Sequence, residues 1–322
     1  MHRDRADTSH FLPTAPDPEY TQPTTRYVSV RGIPSHIHAA DAGALRVQPA
    51  HWPLAVMLTL TQLAVGLLAT APLIVLSLSE RSAPLPSGLW DHVNSLLIAA
   101  GSLPLSRLVT YYVANSSLHA AQLAGLALLF AGLGSSTLHL GQPLRAWRFF
   151  LGLRTSWLSR EILIFSAFAP LALASLLLPA CLALRLALVA TGVLGIACSA
   201  MIYIDTRRCF WAASPTCIRF FGTALVAALA TVDPVAAALV LLAKLGCEST
   251  QAHGSSVPAR LQRGPLRPLF TARFLLGVTA AALLAGGPLW PALALFAAGE
   301  LAERLLFFRA VDAPKMPGNP SP

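Results

Sequence analysis

Residues 184–204 read LRLALVATGVLGIACSAMIYI, and Arg185 is the single charge among these 21 residues. A helix needs about 20 apolar residues to cross the hydrocarbon core of a bilayer, so this stretch is predicted to span a membrane. The chain as a whole is 55% hydrophobic and 11% charged, whereas soluble domains carry roughly 25% charged residues. The sequence therefore predicts an all-α integral membrane protein.

Similar stretches recur along residues 52–309, which we predict to form the transmembrane bundle. The other clear spans are Pro53–Leu78, Leu118–Leu140, Ser159–Leu178, Phe270–Gly286 and Pro288–Phe308. Residues 215–250 form either one long span or two short ones separated at Asp233 and Pro234, and Ser214 and Asp233 are both suitable helix caps. Residues 89–114 are predicted to form an interfacial or partly inserted loop.

The positive charges decide between seven and eight spans. With a hairpin at residues 233–234 the chain has about eight spans, and 18 of its 23 Lys and Arg residues fall on one side against three on the other. Cytoplasmic loops are enriched in Lys and Arg, which predicts a multi-pass protein of the inner (cytoplasmic) membrane with both termini in the cytoplasm. The charges lie between apolar segments rather than along one basic surface, which argues against a nucleic-acid-binding protein.

The two ends of the chain are polar and rich in proline. Residues 1–51 hold six prolines and no apolar stretch of the kind found in a cleaved signal peptide. We predict that they form an extended cytoplasmic tail that binds a partner, because such a composition does not fold by itself. Residues 310–322 are predicted to be a disordered tail.

The polar segment HLGQPLRAWRFFLGLRTSWLSRE, residues 139–161, connects two predicted spans. Gly141 and Pro143 end the helix that carries His139 in its last turn, and Ser159 is predicted to cap the next helix, with Glu161 in its first turn. His139 and Glu161 would then lie at one membrane face. They form either a structural ion pair or a pair that exchanges protons near neutral pH, as the oxidation of a quinol requires.

Metal sites within the chain are not expected. The five cysteines are scattered without a CxxC pair, which argues against a zinc site or an iron–sulfur cluster. His119 and His139 lie at opposite ends of one predicted helix, about 30 Å apart by helical rise, too far apart to ligate one haem. The sequence predicts no haem and no iron–sulfur cluster in this chain.

Three polar features lie inside predicted spans. Gln62 is placed to bond a quinone carbonyl or a neighbouring helix, and we favour the helix. Glu300 and Arg304 are spaced for an i,i+4 pair. Lys244 either extends its amine towards the interface or pairs with Glu248 one turn on.

The segments HLGQPLRAW (139–147) and SWLSRE (156–161) resemble the DmsC family, the membrane-anchor subunits of dimethyl sulfoxide reductase-type enzymes. Weaker matches are HWPL (51–54), IYIDTRRCFW (202–211) and GELAER (299–304). The resemblance implies eight helices that bind menaquinol or ubiquinol. An iron–sulfur subunit would then pass the electrons to a molybdopterin catalytic subunit. Residues 11–27 are similar to the C-terminal tail of such iron–sulfur subunits.

The resemblance also implies roles for particular residues. His139 and Glu161 match family positions associated with quinol oxidation. We add Arg145, Trp157, Arg160 and Gln62 as predicted contributors to the quinol site, and Arg145, Arg148 and Arg160 are also predicted to secure the loop against the iron–sulfur subunit. The expected partners are the two soluble subunits and membrane lipids. Two alternatives stay open: a passive anchor without a working quinone site, and a secondary transporter, whose broken helices would be represented only at Asp233 and Pro234.

Overall fold

The computed structural model describes residues 45–79, 105–138, 143–178 and 181–312. The helices of this part are α1 Trp52–Ser79, α2 Leu105–Thr137, α3 Trp157–Leu177, α4 Leu182–Ile204, α5 Ala213–Ala230, α6 Pro234–Ala252, α7 Val257–Arg263, α8 Arg267–Gly286 and α9 Leu289–Arg309. Two 3-10 helices, Pro143–Gly152 and Cys209–Trp211, lie in loops. The predicted all-helical membrane fold is confirmed, since seven of these helices, α1–α6 and α8, are long and apolar enough to cross a membrane.

Helix α1 lies at the centre of the bundle and packs against α2, α4, α5 and α9. Small residues allow these close approaches, as is usual in membrane bundles. A Cβ atom at Gly66 would lie only 2.3 Å from the carbonyl oxygen of Ala224 on α5, and one at Gly132 of α2 would lie 3.0 Å from Thr61 Cγ2. Helices that follow one another also pack together, namely α3 with α4, α4 with α5, α5 with α6 and α8 with α9, and α6 packs against α8 across the short α7.

The structure resolves the ambiguity over residues 215–250 in favour of two helices. Asp233 caps α6 by accepting a hydrogen bond of 3.0 Å from the amide of Ala236, and Pro234 takes the first helical position, as predicted. The predicted cap at Ser214 is wrong. Helix α5 begins at Ala213 after Ala212, which makes no side-chain cap bond, and Pro215 fits the first turn because its missing N–H would have no intrahelical partner there.

Helix α2 is longer than predicted. It begins at Leu105, directly after Pro104, and runs for 33 residues, about 50 Å by helical rise. The assignment of residues 105–114 to an interfacial loop is therefore wrong, while residues 89–104 of that loop lie outside the described part. The loop was predicted because an additional span at residues 89–114 would disturb the distribution of positive charges, but a helix that extends an existing span adds no further crossing. No glycine or proline interrupts residues 105–124, so the backbone continues beyond the thickness of the membrane core.

The loops that were predicted to share the arginine-rich side meet at one end of the bundle. The amide of Gln48, ahead of α1, donates to the carbonyl of Arg309 at 3.1 Å. Trp211, between α4 and α5, donates from its indole to the carbonyl of Phe307 at 3.0 Å. We call this end the basic face; it comprises residues 46–51, 143–156, 205–212, 253–266 and 309–312.

The eighth predicted span corresponds to α9, which does not meet the composition of a membrane span. It is 21 residues long but carries Glu300, Glu303, Arg304 and Arg309 in its second half. The first three of these side chains are buried in the protein. Seven helices are thus apolar enough to cross a membrane by themselves. These three charged side chains of α9 are instead buried against other helices of the bundle.

Candidate functional site

A tight loop on the basic face leads from the 3-10 helix into α3. The carbonyl of Gly152 accepts hydrogen bonds from the amides of Thr155, at 3.0 Å, and Ser156, at 2.8 Å. A Cβ atom at position 152 would lie 2.6 Å from Ser159 Oγ. Glycine at this position therefore allows the loop to lie directly against the first turn of α3.

The cap of α3 differs from the prediction. Ser156 caps the helix by accepting a hydrogen bond of 3.3 Å from the amide of Ser159. Ser159 is consequently the third residue of the helix, and Glu161 is the fifth rather than a member of the first turn. The free N–H groups of a helix belong to its first turn, so the Glu161 carboxylate is placed beyond them and has to find partners on other elements.

Glu161 finds its partner on α4. Its side chain is buried, with 4% of the residue exposed, and its carboxylate is hydrogen-bonded to the hydroxyl of Ser199. Ser199 Oγ also lies 3.1 Å from the carbonyl oxygen of Gly195. A hydroxyl has one proton to donate and can also accept. Ser199 can therefore donate to an ionised Glu161, or donate to Gly195 and accept from a protonated Glu161, so both protonation states of the carboxyl are satisfied.

Arg160 holds the loop above this carboxyl. Its Nε donates to the carbonyl of Leu153 at 2.9 Å and its Nη2 to the carbonyl of Arg154 at 2.8 Å. Its guanidinium carbon lies 4.2 Å from the centre of the Trp157 ring, a cation–π contact. This intramolecular role was not predicted. Whether Arg160 and Trp157 also contact a quinone stays a prediction.

Part of the predicted site lies outside the described residues. This is the case for His139 and for the side chain of Arg145, so the predicted meeting of His139 with Glu161 stays a prediction. Around the described part of the loop, apolar side chains face outwards. Trp147, Phe150 and Leu151 of the 3-10 helix are exposed on the basic face, as expected for a segment that touches the membrane interface or another subunit.

A second polar cluster, which sequence reasoning missed, lies within the bundle. We call it the ionic network; its members are Arg219 of α5, Lys244 and Glu248 of α6, Arg273 of α8, and Glu300, Glu303 and Arg304 of α9. All seven side chains are buried. They occupy the half of each helix nearer the basic face, which follows from their positions late in α6 and α9 and early in α5 and α8.

In one part of the network, Arg273 and Lys244 both contact the carboxylates of Glu300 and Glu248. Arg273 donates from Nε and Nη2 to both carboxylate oxygens of Glu248 at 2.8 Å, and its Nη2 lies 2.9 Å from Glu300. Lys244 bonds Glu300, donates to Thr223 Oγ1 at 3.1 Å and lies 3.7 Å from Glu248. The predicted pairing of Lys244 with Glu248 is confirmed. The predicted pair of Glu300 with Arg304 is wrong, because Glu300 turns to α6 and α8 instead.

The other part of the network centres on Glu303, which pairs with Arg304 and, at 3.1 Å, with Arg219. Arg304 also donates to the side-chain oxygen of Gln62 on α1. The preference for a helix–helix bond by Gln62 is therefore confirmed, although its Nε2 has no hydrogen-bond partner among the described residues. Arg304 lies 4.5 Å from the centre of the Phe220 ring.

The sequence did contain a signal for this cluster. Charged residues inside spans almost always face the interior of a bundle and pair with one another, and seven such residues fall in the second half of the chain. Their partners were not deducible, because spacing along one helix predicts only pairs such as Lys244 with Glu248. The observed contacts join four different helices.

An apolar groove with a volume of about 260 Å³ lies elsewhere, between the start of α6 and the end of α8. Its lining consists of Val235, Ala238, Leu239, Leu242, Val278, Ala281, Ala282 and Ala285. None of these side chains offers a hydrogen bond, so the groove suits a hydrocarbon chain and not a quinone head group. No group of three or more His, Cys, Asp or Glu residues in the described ranges is arranged to hold a metal ion.

Comparison with known proteins shows that part of this chain is similar to one family. The sequence-family model of the DMSO reductase anchor subunit, DmsC, matches residues 99–249. The resemblance to the DmsC family is confirmed. The DmsC-matched segment contains both His139 and Glu161, and three of the seven residues of the ionic network: Arg219, Lys244 and Glu248. Together with the seven apolar helices it identifies a multi-pass membrane protein.

One curated relative and the solved structures complete the comparison. A sulfite dehydrogenase subunit of Allochromatium vinosum is 60% identical over 42 residues. Those residues make up 13% of this chain and 13% of that protein, so the match covers about an eighth of either one. No solved structure matches the chain.

Proposed function

We propose that this protein is the membrane-anchor subunit of a molybdopterin and iron–sulfur oxidoreductase complex, and that it exchanges electrons and protons with a quinone on the basic face beside Glu161. The observation that carries the proposal is a buried carboxyl inside the DmsC-matched segment, one turn below a loop whose 3-10 helix exposes the aromatic side chains of Trp147 and Phe150. Ionisable residues within a membrane bundle are rarely retained without a function.

The chemistry of Glu161 suits this role. Oxidation of a quinol releases two electrons and two protons, and reduction of a quinone takes up the same number. Because Ser199 satisfies Glu161 in both protonation states, the carboxyl is able to accept a proton or give one up without losing its hydrogen bond. His139 is the proposed second proton carrier. The electrons pass to or from the iron–sulfur partner, which the exposed arginines and aromatic residues of the basic face would hold.

The direction of electron flow distinguishes two versions of the proposal. Quinol oxidation is the version implied by a reductase-type complex. The similarity to part of a sulfite dehydrogenase favours the reverse, because a dehydrogenase removes electrons from its substrate and must pass them on. In that version Glu161 and His139 donate protons to the quinone. Two rates of electron transfer in the assembled complex decide between the directions: the rate of quinol oxidation when the catalytic subunit is supplied with an oxidant, and the rate of quinone reduction when the iron–sulfur subunit is supplied in its reduced form.

The first test replaces Glu161 with Gln in the assembled complex. General acid–base catalysis by one side chain contributes typically 10²–10⁴-fold, so we expect Glu161→Gln to lower quinone-linked turnover by about that factor. Electron transfer between the soluble subunits and an artificial dye should not change. Asp205→Asn is the matched control, because Asp205 is an exposed carboxylate on the same basic face.

A quinone-analogue binding assay separates the proposal from a passive anchor. If the wild-type complex neither binds the analogue nor turns over quinone, the chain is a passive tether. If Glu161→Gln binds the analogue and turns over quinone as the wild type does, the proposed site beside Glu161 is refuted. His139→Arg tests the second proton carrier in the same assays. Undiminished turnover in that variant would remove His139 from the mechanism while leaving Glu161 in place.

The partner assignment has its own test. Residues 1–45 are proposed to contact the iron–sulfur subunit, because residues 11–27 are similar to a segment of such subunits. Deleting residues 1–45 should lower recovery of the iron–sulfur subunit in membranes while the bundle itself is retained. Equal recovery from the deleted and full-length chains would contradict this contact.

A further inference from the structure

The ionic network carries one more positive charge than negative charge. Arg219, Lys244, Arg273 and Arg304 face three carboxylates, those of Glu248, Glu300 and Glu303, and none of the seven residues is more than 6% exposed. An uncompensated charge is unfavourable in the low dielectric of a membrane protein interior. The network would be neutral if one of its four cations lost a proton.

Only one of the four cations is chemically able to do so. Arginine side chains stay protonated in proteins, whereas a lysine amine gives up its proton readily when it is buried. Lys244 is also the cation deepest in the bundle, eight residues before the end of α6 at Ala252, which corresponds to about 12 Å by helical rise. It cannot reach solvent by extending its side chain.

The surroundings of Lys244 fit either protonation state. On α9 Glu300 bonds its amine, on α5 Thr223 accepts a bond from it at 3.1 Å, and on its own helix Glu248 lies 3.7 Å away. Arg273 of α8 pairs with both of these carboxylates, and Arg304 of α9 donates to Thr223 Oγ1 at 3.1 Å. These cations keep Glu300 and Glu248 partnered when the Lys244 amine is neutral.

Polar side chains lie between Lys244 and the basic face. Glu248 follows it by one turn, about 6 Å nearer that face, and is able to pass a proton onward as a carboxyl. On the facing helix, Arg219 donates to the side-chain oxygen of Gln251 at 2.8 Å, and Gln251 is partly exposed near the end of α6. Beyond Lys244, towards the other end of the bundle, the core formed by Ala227, Ala230 and Leu241 is apolar.

We propose that the ionic network is a proton-exchange site open towards the basic face, and that Lys244 carries the proton that it gains and loses. The step is a proton transfer alone: the N–H bond of the Lys244 ammonium breaks, a carboxylate oxygen of Glu248 receives the proton, and water at the basic face takes it up. The apolar core beyond Lys244 makes this a storage site rather than a channel through the membrane.

The chain provides a direct measurement, because it contains only two lysines, Lys244 and Lys315. The full-length protein labelled with 13C and 15N in lysine gives two side-chain signals, and Lys315→Arg removes one of them and so assigns the other. We expect the Lys244 amine to lose its proton, in a one-proton titration, at a pH at which Lys315 keeps its own. If Lys244 stays an ammonium at every pH at which the protein remains folded, the proposal is overturned.

Two substitutions test the same point independently. Lys244→Met removes the exchangeable proton and leaves three cations with three carboxylates, whereas Lys244→Arg keeps the positive charge permanently. We expect Lys244→Met to give folded protein in at least half the wild-type yield, and a yield above that of Lys244→Arg. A wild-type yield of Lys244→Arg together with a failure of Lys244→Met to fold would show that a fixed charge is required and would contradict the proposal.

Discussion

Nη2 of Arg273 lies 2.9 Å from Oε1 of Glu300, and both residues are completely shielded from solvent. The same guanidinium makes two hydrogen bonds of 2.8 Å to Glu248. One side chain of α8 thereby holds a carboxylate of α6 and a carboxylate of α9. Because the bonds have defined directions, they fix how α9 is rotated against its neighbours, which nonspecific apolar packing does not do.

Arg273→Met is expected to destabilise the protein strongly. Removing one partner of a buried ion pair costs about 3–5 kcal/mol. The network would keep three cations for three carboxylates, but Glu248 would lose both of its 2.8 Å hydrogen bonds and Glu300 its contact with Arg273, whereas Lys244 makes no such two-bond contact with a carboxylate. The free energy of unfolding in detergent micelles is the measurement. Arg267→Met, at the exposed start of the same helix, is the control and should stay within about 0.5 kcal/mol of wild type. Equal stabilities of the two variants would contradict the pairing.

Gly66→Ala is expected to separate α1 from α5. The added Cβ atom would lie 2.3 Å from the carbonyl oxygen of Ala224 and 2.7 Å from Ala227 Cβ, and overpacking of this kind typically costs about 1–3 kcal/mol. Gly246→Ala is the matched control in α6, because nothing lies within 4 Å of its added atom. The control should gain about 0.5–1 kcal/mol from the better helix propensity of alanine. Thermal unfolding of both variants measures the difference.

Ser199→Ala is expected to destabilise the protein through Glu161. A buried acceptor left without its partner costs about 1–3 kcal/mol. Ser175→Ala is the control, because Ser175 is also buried and, within the described ranges, bonds the carbonyl of Ala172 in its own helix, at 2.7 Å. A double-mutant cycle with Glu161→Gln isolates the interaction. A coupling energy of zero would show that the contact contributes nothing.

Helix α9 is expected to enter the membrane only together with its neighbours. A charged residue at the centre of an inserting helix costs about 2.5–3.5 kcal/mol, and Glu300, Glu303 and Arg304 all lie in the second half of α9. A reporter segment carrying α9 alone should fail to insert, and the triple change to leucine at these positions should restore insertion. Efficient insertion of unmodified α9 by itself would contradict this dependence on α6 and α8.

The helices themselves were largely predictable. Long apolar runs specify the spans α1–α6 and α8, and Asp233 with Pro234 marks the hairpin between α5 and α6, because capping and proline geometry act over a few residues. Helix ends were less predictable. The start of α2 and the cap of α3 depend on where the backbone stops being helical, which is not the point at which the sequence stops being apolar.

By itself, the sequence determined the fold class, the arginine-rich side and the segment that matches the DmsC family, since hydrophobicity, charge bias and local motifs are properties of consecutive residues. The tertiary structure alone decided that Glu161 bonds Ser199, that Gln62 bonds Arg304 and that Glu300 joins Lys244 and Arg273. Glu161 and Ser199 are 38 positions apart in the sequence, Glu300 and Lys244 are 56 apart, and Gln62 and Arg304 are 242 apart. Only the packing of helices brings such residues within hydrogen-bond distance.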